Sequence, residues 1–228
     1  PAWRDGLRRG MWGGSVKVVD GLDVFTSKPA ERVAGVVESG ARLWLWGYHY
    51  LYGDTVRAVR EADAALEAVD RWPRPEVYCA NVEHHAYGAW GASPVPDPGG
   101  AIHAFSAHLR EGLHARGVEL AWNGISWTRY QDTSGAMRDG LRAETPALWD
   151  LVVPMTYSVS RLPRQWARAR ARASAWGLPW GPMISTATPI GVLAELVARD
   201  RPDYLAWWYG AQSAPRLTVE YKETEQVQ

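Results

Sequence analysis

Residues 78–85 of the sequence read YCANVEHH, a short apolar run that ends in the carboxylate of Glu83. Side chains alternate between the two faces of a strand, so Cys79, Asn81 and Glu83 are predicted to share one face. Strands and helices alternate before and after this run. That pattern favours a parallel sheet, and its repetition favours a closed barrel over an open, doubly wound sheet. Glu83 would then lie at the carboxyl-terminal rim, where barrels of this kind carry their chemistry.

The rest of the chain supplies the alternation. Strands are predicted at 15–25, 42–50, 76–83, 118–127, 150–158, 178–186 and 203–210, and helices at 28–39, 54–70, 102–116, 135–148, 162–176 and 188–199. We therefore predict a (β/α)8 barrel in one domain over residues 1–228, irregular through a short or missing eighth strand. That strand would lie within 10–14 or 217–221. The polar tail from about residue 220 is expected to fray.

Composition excludes several function classes. The chain has 25 basic and 25 acidic residues and no net charge, so there is no electrostatic case for binding nucleic acid or an anionic membrane. We interpret the Arg-rich face of the predicted helix at 162–176 as a solvated outer face. Cys79 is the only cysteine, which excludes an intrachain disulfide and a Cys-rich metal motif. No glycine-rich phosphate loop follows a predicted strand, and we expect no cofactor.

Polar aromatic residues are unusually frequent: the chain has 14 Trp and 10 Tyr but only 2 Phe. Trp and Tyr stack on the apolar faces of sugar rings while their N–H and O–H groups meet hydroxyls. We assign roughly half of the Trp residues to the core and half to ligand binding. An amide at position 81 and a carboxylate at position 83 suggest acid/base chemistry on a neutral, hydroxyl-rich substrate. The alternative is a strand-end Glu that is exposed or paired with Arg.

The order of these segments resembles that of barrel glycoside hydrolases that act on N-acetylhexosamine polymers. Gly47-Tyr48-His49, a helix and then Asn81-Val82-Glu83 are similar to the Gly-x-Tyr-His and Asp-x-Glu strands of the family 25 lysozymes. Met155-Thr156-Tyr157-Ser158 resembles the Met-x-Tyr-Asp strand of the family 18 chitinases, whose Asp-x-x-Asp-x-Asp-x-Glu strand aligns with residues 76–83. Their last strand ends near a Trp, which Trp207 or Trp208 matches.

Two positions depart from those families. Asn81 replaces the carboxylate that precedes the catalytic Glu, and Ser158 replaces the Asp of the sixth strand. Family 85 endo-β-N-acetylglucosaminidases have an active Asn-x-Glu pair, so Asn81 is compatible with an enzyme. The resemblance implies that Glu83 is the general acid, with a pKa raised by an aromatic-walled site. Asn81 would orient the substrate acetamido group as an internal nucleophile, and Tyr157 would donate a hydrogen bond to it.

The remaining candidate residues would bind the polysaccharide, which is the one partner that the sequence predicts. They are Trp122, Trp207, Trp208, Tyr48, His49 and Asp23. A mechanism with two protein carboxylates would need Asp20 or Asp23 as the second, although a turn-forming role is favoured for both. We assign no metal site and leave the oligomeric state open.

Two rival functions remain at this stage. One is a non-catalytic carbohydrate-binding or virion or cell-surface structural module on the same scaffold. The other is a metal-dependent barrel hydrolase with Glu83, His85 and His49 as ligands. We expect His103, His108 and His114 to lie on the surface. No stretch has the length of a transmembrane helix and no signal peptide is recognisable, so the sequence leaves the compartment open and is compatible with cytoplasmic synthesis and release of the phage endolysin type.

Overall fold

The structure is a computed structural model. It describes residues 13–82, 97–124, 129–131, 137–139, 141–156, 161–185, 188–203 and 206–208, with backbone only at 129–131, 137–139, 185, 190 and 206–208.

Strands and helices alternate along the described chain. The strands are β1 (Gly13–Asp20), β2 (Asp23–Val24), β3 (Arg42–His49), β4 (Val77–Val82), β5 (Glu119–Gly124), β6 (Arg129–Gln131), β7 (Met137–Asp139), β8 (Leu151–Val152), β9 (Met155–Thr156), β10 (Met183–Ser185) and β11 (Ala206–Trp208). The helices are α1 (Ala30–Glu38), α2 (Thr55–Arg71), α3 (Pro98–Ala115), α4 (Leu162–Trp176) and α5 (Ile190–Asp200), with a 3-10 helix at Thr145–Leu148. The predicted α/β architecture is confirmed.

The main sheet has the order β2-β1-β3-β4-β5-β8, and a second sheet has the order β11-β10-β9. All pairs in both sheets are parallel except the β1–β2 hairpin. Pro154 separates β8 from β9; it has no N–H to donate, which interrupts the ladder. A parallel bridge from Val152 to Trp180 links the two sheets across this break. Apart from the two hairpins, the described strands therefore follow one another in a parallel series from β1 to β11.

The two faces of the main sheet have different neighbours. One face, called here the outer face, packs against the helices and contributes Leu45, Tyr78, Leu120 and Trp122 to the large hydrophobic core. The other, called here the inner face, carries a smaller cluster made only of residues from the sheet region: Val77, Cys79, Ala121, Leu151 and Val153. Burial on both faces is typical of parallel strands. Cys79 and Ala121 are in register on neighbouring strands, so the inner face is continuous from β4 to β5.

Local sequence explains where the helices begin and end. Asp54 caps α2, since its carboxylate accepts the N–H groups of Val56 at 2.8 Å and Arg57 at 3.1 Å. The helix α4 ends at Gly177, which has a φ of +67°. The helix α4 buries one apolar stripe, formed by Leu162, Trp166, Ala169 and Ala173.

Three predictions about local structure differ from what is observed. The helix predicted at 135–148 is wrong: β6 and β7 form an antiparallel hairpin there, followed by the short 3-10 helix. Gly140 and Pro146 explain the failure, because both disfavour a helix interior. The strand predicted at 15–25 turns back on itself at Gly21, which has a φ of +61°. Of the two places proposed for an eighth strand, Gly13 and Gly14 begin β1, and 217–221 lies outside the described residues.

None of the helices in the described ranges is long and apolar enough to cross a lipid bilayer.

Candidate functional site

Four side chains line up where neighbouring parallel strands end. Asp20 of β1 is in register with Tyr48 of β3, Tyr48 with Asn81 of β4, and Asn81 with Asn123 of β5. Asn81 and Asn123 each follow an inner-face residue by two positions, so they lie on the inner face. We call Asp20, Tyr48, Asn81 and Asn123 the polar row. The predicted alternation on β4, with Cys79 and Asn81 on the same face, agrees with this arrangement.

At one end of the polar row, Asp20 is held by two donors. The Lys17 ammonium lies 2.9 Å from Oδ2, and the Tyr50 hydroxyl donates to Oδ1 at 2.9 Å. Burial raises the pKa of the Asp20 carboxyl, but the hydrogen bonds from Lys17 and Tyr50 outweigh it, and the pKa lies below its ordinary value. Burial and the same carboxylate raise the pKa of Tyr50 to about 12. Asp20 is therefore ionised and locally neutralised at neutral pH.

Aromatic rings surround the Lys17 ammonium. It lies 5.3 Å from the centre of the Trp46 ring and 5.6 Å from that of Tyr48, within the range of a cation–π contact. Trp46 packs against the cluster of the inner face. The floor of the polar row at β1 and β3 is therefore aromatic, with one partly buried charge pair.

A ladder of tyrosines leads outward from the polar row. The rings of Tyr48 and Tyr50 are 4.9 Å apart, and those of Tyr50 and Tyr52 stack at 5.7 Å with an interplanar angle of 8°. Tyr52 is 40% exposed, and the Arg57 guanidinium lies 4.6 Å from the centre of its ring. The polar row is thus connected to the surface by aromatic faces of the kind that stack on sugar rings.

At the other end of the polar row are two carboxamides. Asn81 is 8% exposed and Asn123 is 2% exposed. Asn123 Nδ2 donates to the Met183 sulfur at 3.6 Å, and sulfur is a weak acceptor. The Asn123 Oδ1 is buried and has no hydrogen-bond partner among the described residues. Such a buried acceptor typically costs about 1–3 kcal/mol when nothing satisfies it.

Several predicted site residues cannot be placed relative to the polar row. Glu83 and Tyr157 lie outside the described residues, as do His84 and His85. Trp207 and Trp208 belong to β11, where their backbones are in register with Ile184 and Ser185 of β10. Their side chains are not described. The assignment of these residues to the site therefore remains a prediction.

Trp122 and His49, both predicted to contact substrate, lie on the other side of the sheet from the polar row. Trp122 is 4% exposed and stacks on Trp149 of the large core, with ring centres 4.3 Å apart. His49 is fully buried beside Phe105 of α3, with ring centres 4.6 Å apart. Side chains alternate between the two faces of a strand, and each of these residues is an odd number of positions away from the inner-face residues of its own strand. The structure therefore brings neither Trp122 nor His49 together with Asn81. Asp23 is exposed in the β1–β2 hairpin, opposite Asp20.

His49 belongs to a buried polar cluster on the outer face. Its Nε2 lies 3.0 Å from the Tyr78 hydroxyl, and its Nδ1 lies 3.6 Å from a carboxylate oxygen of Glu61, which is long for a hydrogen bond. Burial lowers the pKa of His49 despite the nearby Glu61, so the ring is neutral at pH 7. A hydrogen on Nδ1 would face Glu61 and leave Nε2 to accept from Tyr78.

Glu61 in turn holds the loop that follows β3. Its carboxylate accepts the backbone N–H of Tyr50 at 2.8 Å and the Arg57 Nε–H at 2.7 Å. Burial raises the pKa of Glu61, but His49 and these donors together keep it below its ordinary value. Leu51 and Tyr52 in this loop have positive φ angles of 53° and 49°. The cluster therefore fixes a strained turn, and with it the start of the tyrosine ladder.

Two of the three ligands considered for a metal site, Glu83 and His85, lie outside the described residues, so that alternative is not tested. Within the described ranges, no three His, Cys, Asp or Glu side chains are grouped to hold an ion. His108 and His114 lie at the surface as predicted, with side chains 39% and 37% exposed, and they contact Asp63 at 2.6 Å and Asp150 at 2.8 Å. Nearby His103 is partly buried and lies 3.1 Å from Thr145. These imidazoles connect elements of the fold.

Besides the outer tyrosines Tyr50 and Tyr52, the sequence analysis missed two polar members of the site, Lys17 and Asn123. Lys17 was treated as an ordinary strand residue, although it precedes Asp20 by three positions. Asn123 was passed over in favour of Trp122. Ala121 and Asn123 repeat on β5 the alternation of Cys79 and Asn81 on β4, but the register that pairs the two strands comes from the fold and not from the sequence.

Comparison with known proteins gives likeness of structure alone. No protein-family model matches the sequence, and no curated protein matches it. The fold is similar to a chitinase from Chromobacterium violaceum ATCC 12472, with a TM-score of 0.56, 13% identity, and coverage of 87% of this chain and 72% of that one. It is also similar to a GH18 chitinase from Pseudoalteromonas aurantia, with a TM-score of 0.57, 10% identity, and coverage of 82% and 76%.

A third similar structure has another name. It is a candidate alpha-L-fucosidase from Bacteroides thetaiotaomicron VPI-5482, with a TM-score of 0.53, 8% identity, and coverage of 90% of this chain and 80% of that one. All three identities are too low to carry more than the fold. The chain thus has an α/β fold with a parallel sheet that matches TIM-barrel glycoside hydrolases in structure.

Proposed function

We propose that this protein binds and hydrolyses an N-acetylhexosamine polysaccharide of the chitin or peptidoglycan type, with Glu83 as the general acid. The observation that carries the proposal is the polar row on the inner face, at the carboxyl ends of four adjacent parallel strands. Barrels of this class hold their active sites at that end. Glu83 follows Asn81 by two positions in the sequence, the spacing at which strand residues share a face.

The chemistry of the polar row suits a neutral substrate. Its one carboxylate, Asp20, is paired with Lys17, and its other members are a phenol and two carboxamides. Carboxamides both donate and accept hydrogen bonds, as hydroxyl and acetamido groups require. The tyrosine ladder offers ring faces on which sugars stack. A nucleotide or another anionic substrate would instead call for unpaired cations.

The proposed reaction uses one protein carboxyl group. Glu83 gives its proton to the glycosidic oxygen as the bond from that oxygen to the anomeric carbon breaks. The substrate acetamido oxygen, oriented by Asn81 and by a hydrogen bond from Tyr157, forms a bond to the anomeric carbon on the opposite side. Water then attacks this carbon and gives a proton to the Glu83 carboxylate, while the bond from the carbon to the acetamido oxygen breaks. The acetamido group and the acid are both restored. Configuration is retained, because two displacements occur at the same carbon.

A non-catalytic carbohydrate-binding module is the second candidate. The observation that favours it is the engagement of Asp20 by both Lys17 and Tyr50, which ties up the carboxylate of the polar row. A two-carboxylate mechanism would need such a group free to act at the anomeric carbon. Binding alone needs only the aromatic faces and the amides.

The test is the release of reducing ends from chitin and from peptidoglycan. We expect release by the native protein, and a fall of at least ~10²-fold in Glu83→Gln with little change in affinity, because the amide keeps its size but has no acidic proton. Glu76→Gln is the matched control, since Glu76 precedes the same strand and its exposed carboxylate pairs with Arg42. No release of reducing ends, with polysaccharide binding intact, would establish the binding module instead.

A further inference from the structure

We propose that Asn123 determines specificity for acetylated sugars, with its Oδ1 accepting the N–H of the substrate acetamido group. This inference rests on the proposed function and adds to it a residue outside the predicted catalytic set. Asn123 comes from β5, whereas the residues implied by the resemblance come from other strands.

The position of Asn123 points to a ligand. It is only 2% exposed, yet Oδ1 has no partner among the described residues and Nδ2 contacts the weakly accepting sulfur of Met183. Buried carboxamides normally satisfy both ends within the protein. Two other buried hydroxyls have a partner: Ser106 accepts the Trp149 indole N–H at 3.0 Å, and Thr156 donates to the Met183 carbonyl at 2.9 Å. A few further buried polar atoms, such as the Thr188 hydroxyl, share with Asn123 the lack of a partner among the described residues, but Asn123 lies in the polar row.

The neighbour of Asn123 defines the chemistry of that ligand. Asn81 is its register partner on the adjacent strand, about 4.8 Å away in the direction of strand pairing. Two side-by-side carboxamides present donors and acceptors together, and no charge. A secondary amide has one N–H and one C=O and matches such a pair, with Asn123 accepting the N–H and Asn81 facing the C=O. A hydroxyl lacks the carbonyl, and an ammonium would lose its hydration for a neutral acceptor.

The apolar residues around Asn123 also determine which chemical groups can be placed next to it without a large desolvation cost. Cys79, Ala121 and Val153 form the small, apolar floor of the inner face near it, and all are buried. A charged group placed there would meet little compensation, which disfavours deacetylated sugars further. The 2-acetamido sugar is thus preferred by both hydrogen bonding and desolvation.

The experiment measures the affinity of N-acetylglucosamine oligomers and of glucosamine oligomers by calorimetry, in a Glu83→Gln background that blocks turnover. We expect the parent to prefer acetylated oligomers at least ~10-fold. Asn123→Leu keeps the approximate shape without an acceptor. It should bind acetylated oligomers about tenfold more weakly while its melting temperature stays equal or rises, because an unsatisfied buried group is removed.

Asn123→Asp is a second, independent variant, which tests the proposal even if Asn123→Leu does not fold. A carboxylate at this position pairs with an ammonium, so the preference should shift by at least ~10-fold toward glucosamine oligomers. Ser106→Ala is the control, since it removes a buried hydroxyl in the large core and should lower stability without changing the preference.

The outcomes separate this inference from the proposed function. If the parent binds neither oligomer, the proposed function fails together with this inference. If the parent binds but Asn123→Asp and Asn123→Leu keep its affinities and its preference for acetylated oligomers, only the role of Asn123 is overturned.

Discussion

His49 and Tyr78 meet on the outer face of the sheet, where His49 Nε2 lies 3.0 Å from the Tyr78 hydroxyl oxygen. Gly47 leaves the space for this contact. A methyl group on Gly47 would overlap the Tyr78 hydroxyl and come within 2.8 Å of His49 Nε2. The run Gly47-Tyr48-His49 therefore serves both faces at once: its first and third residues belong to the buried cluster, and Tyr48 belongs to the polar row.

Replacing Gly47 tests this packing. Gly47→Ala should lower the free energy of unfolding by about 1–3 kcal/mol, because the added methyl displaces Tyr78 and His49. In a Tyr78→Phe background the same change should cost measurably less, since the hydroxyl is gone. The Val19 Cβ would lie 3.0 Å from the added methyl, so the relief should be partial. Urea denaturation of the four proteins measures the coupling. Equal costs in both backgrounds would show that the hydroxyl is not the obstacle.

His49 should make stability depend on pH. Burial lowers its pKa in the folded protein below the ordinary value near 6.5, so the unfolded chain binds a proton first as pH falls. The contribution of neutral His49 to the free energy of unfolding is complete above about pH 6.5. It is lost on acidification, by up to ~1.4 kcal/mol per pH unit. Glu61, whose folded pKa is lowered, retains its contribution down to about pH 4.3. The interval from about pH 5 to 7 therefore reports on His49.

The measurement is the melting temperature of the native protein, His49→Gln and His108→Gln across that interval. His49→Gln should melt lower at neutral pH but show a flatter pH profile. His108→Gln is a control for the loss of a histidine side chain outside this cluster, at a surface contact with Asp63. If the melting temperature of His49→Gln falls with pH as steeply as that of the native protein, the titrating group is not His49.

Asp20 should control the ionisation of Tyr50. Burial together with the Asp20 carboxylate holds the pKa of Tyr50 at about 12. Asp20→Asn removes the charge and keeps the size, so the Tyr50 pKa should fall toward its ordinary value near 10. The measurement is an ultraviolet titration of tyrosinate in Asp20→Asn and in the double variant Asp20→Asn/Tyr50→Phe. The difference between the two curves isolates the Tyr50 phenol. An unchanged Tyr50 pKa would mean that burial alone sets it.

Sequence patterns predicted most of the order of elements because the parallel strands β1, β3, β4 and β5 carry buried apolar residues and the helices between them bury an apolar face. They failed at 135–148, where glycine and proline override a weak helical pattern. They also could not separate the two faces of β5. Trp122 and Asn123 are adjacent, so only one of them faces inward, and a strand buried on both faces gives no hydrophobic alternation to show which. The register with Cys79 and Asn81 decides it, and register comes from the fold.

Asn81 is where the enzyme and the binding module make opposite predictions. If the acetamido-assisted reaction operates, Asn81→Ala should lower turnover by about 10²-fold, because the internal nucleophile loses its alignment. Asn81→Asp should keep substantial activity or raise it, since a carboxylate at this position can orient the acetamido group through its N–H, in place of Asn123, and stabilises the positive charge that develops. Neither substitution removes the proposed acid, Glu83.

The measurement is the rate of release of reducing ends, with calorimetric affinity for N-acetylglucosamine oligomers determined in parallel. Tyr52→Phe is a control, because it removes a hydroxyl from the exposed end of the tyrosine ladder and keeps the stacking ring; its turnover should be close to native. If the native protein releases nothing and Asn81→Asp gains nothing, even together with Ser158→Asp, the barrel only binds. An active native protein with full turnover in Asn81→Ala would instead retain the enzyme and remove Asn81 from its mechanism.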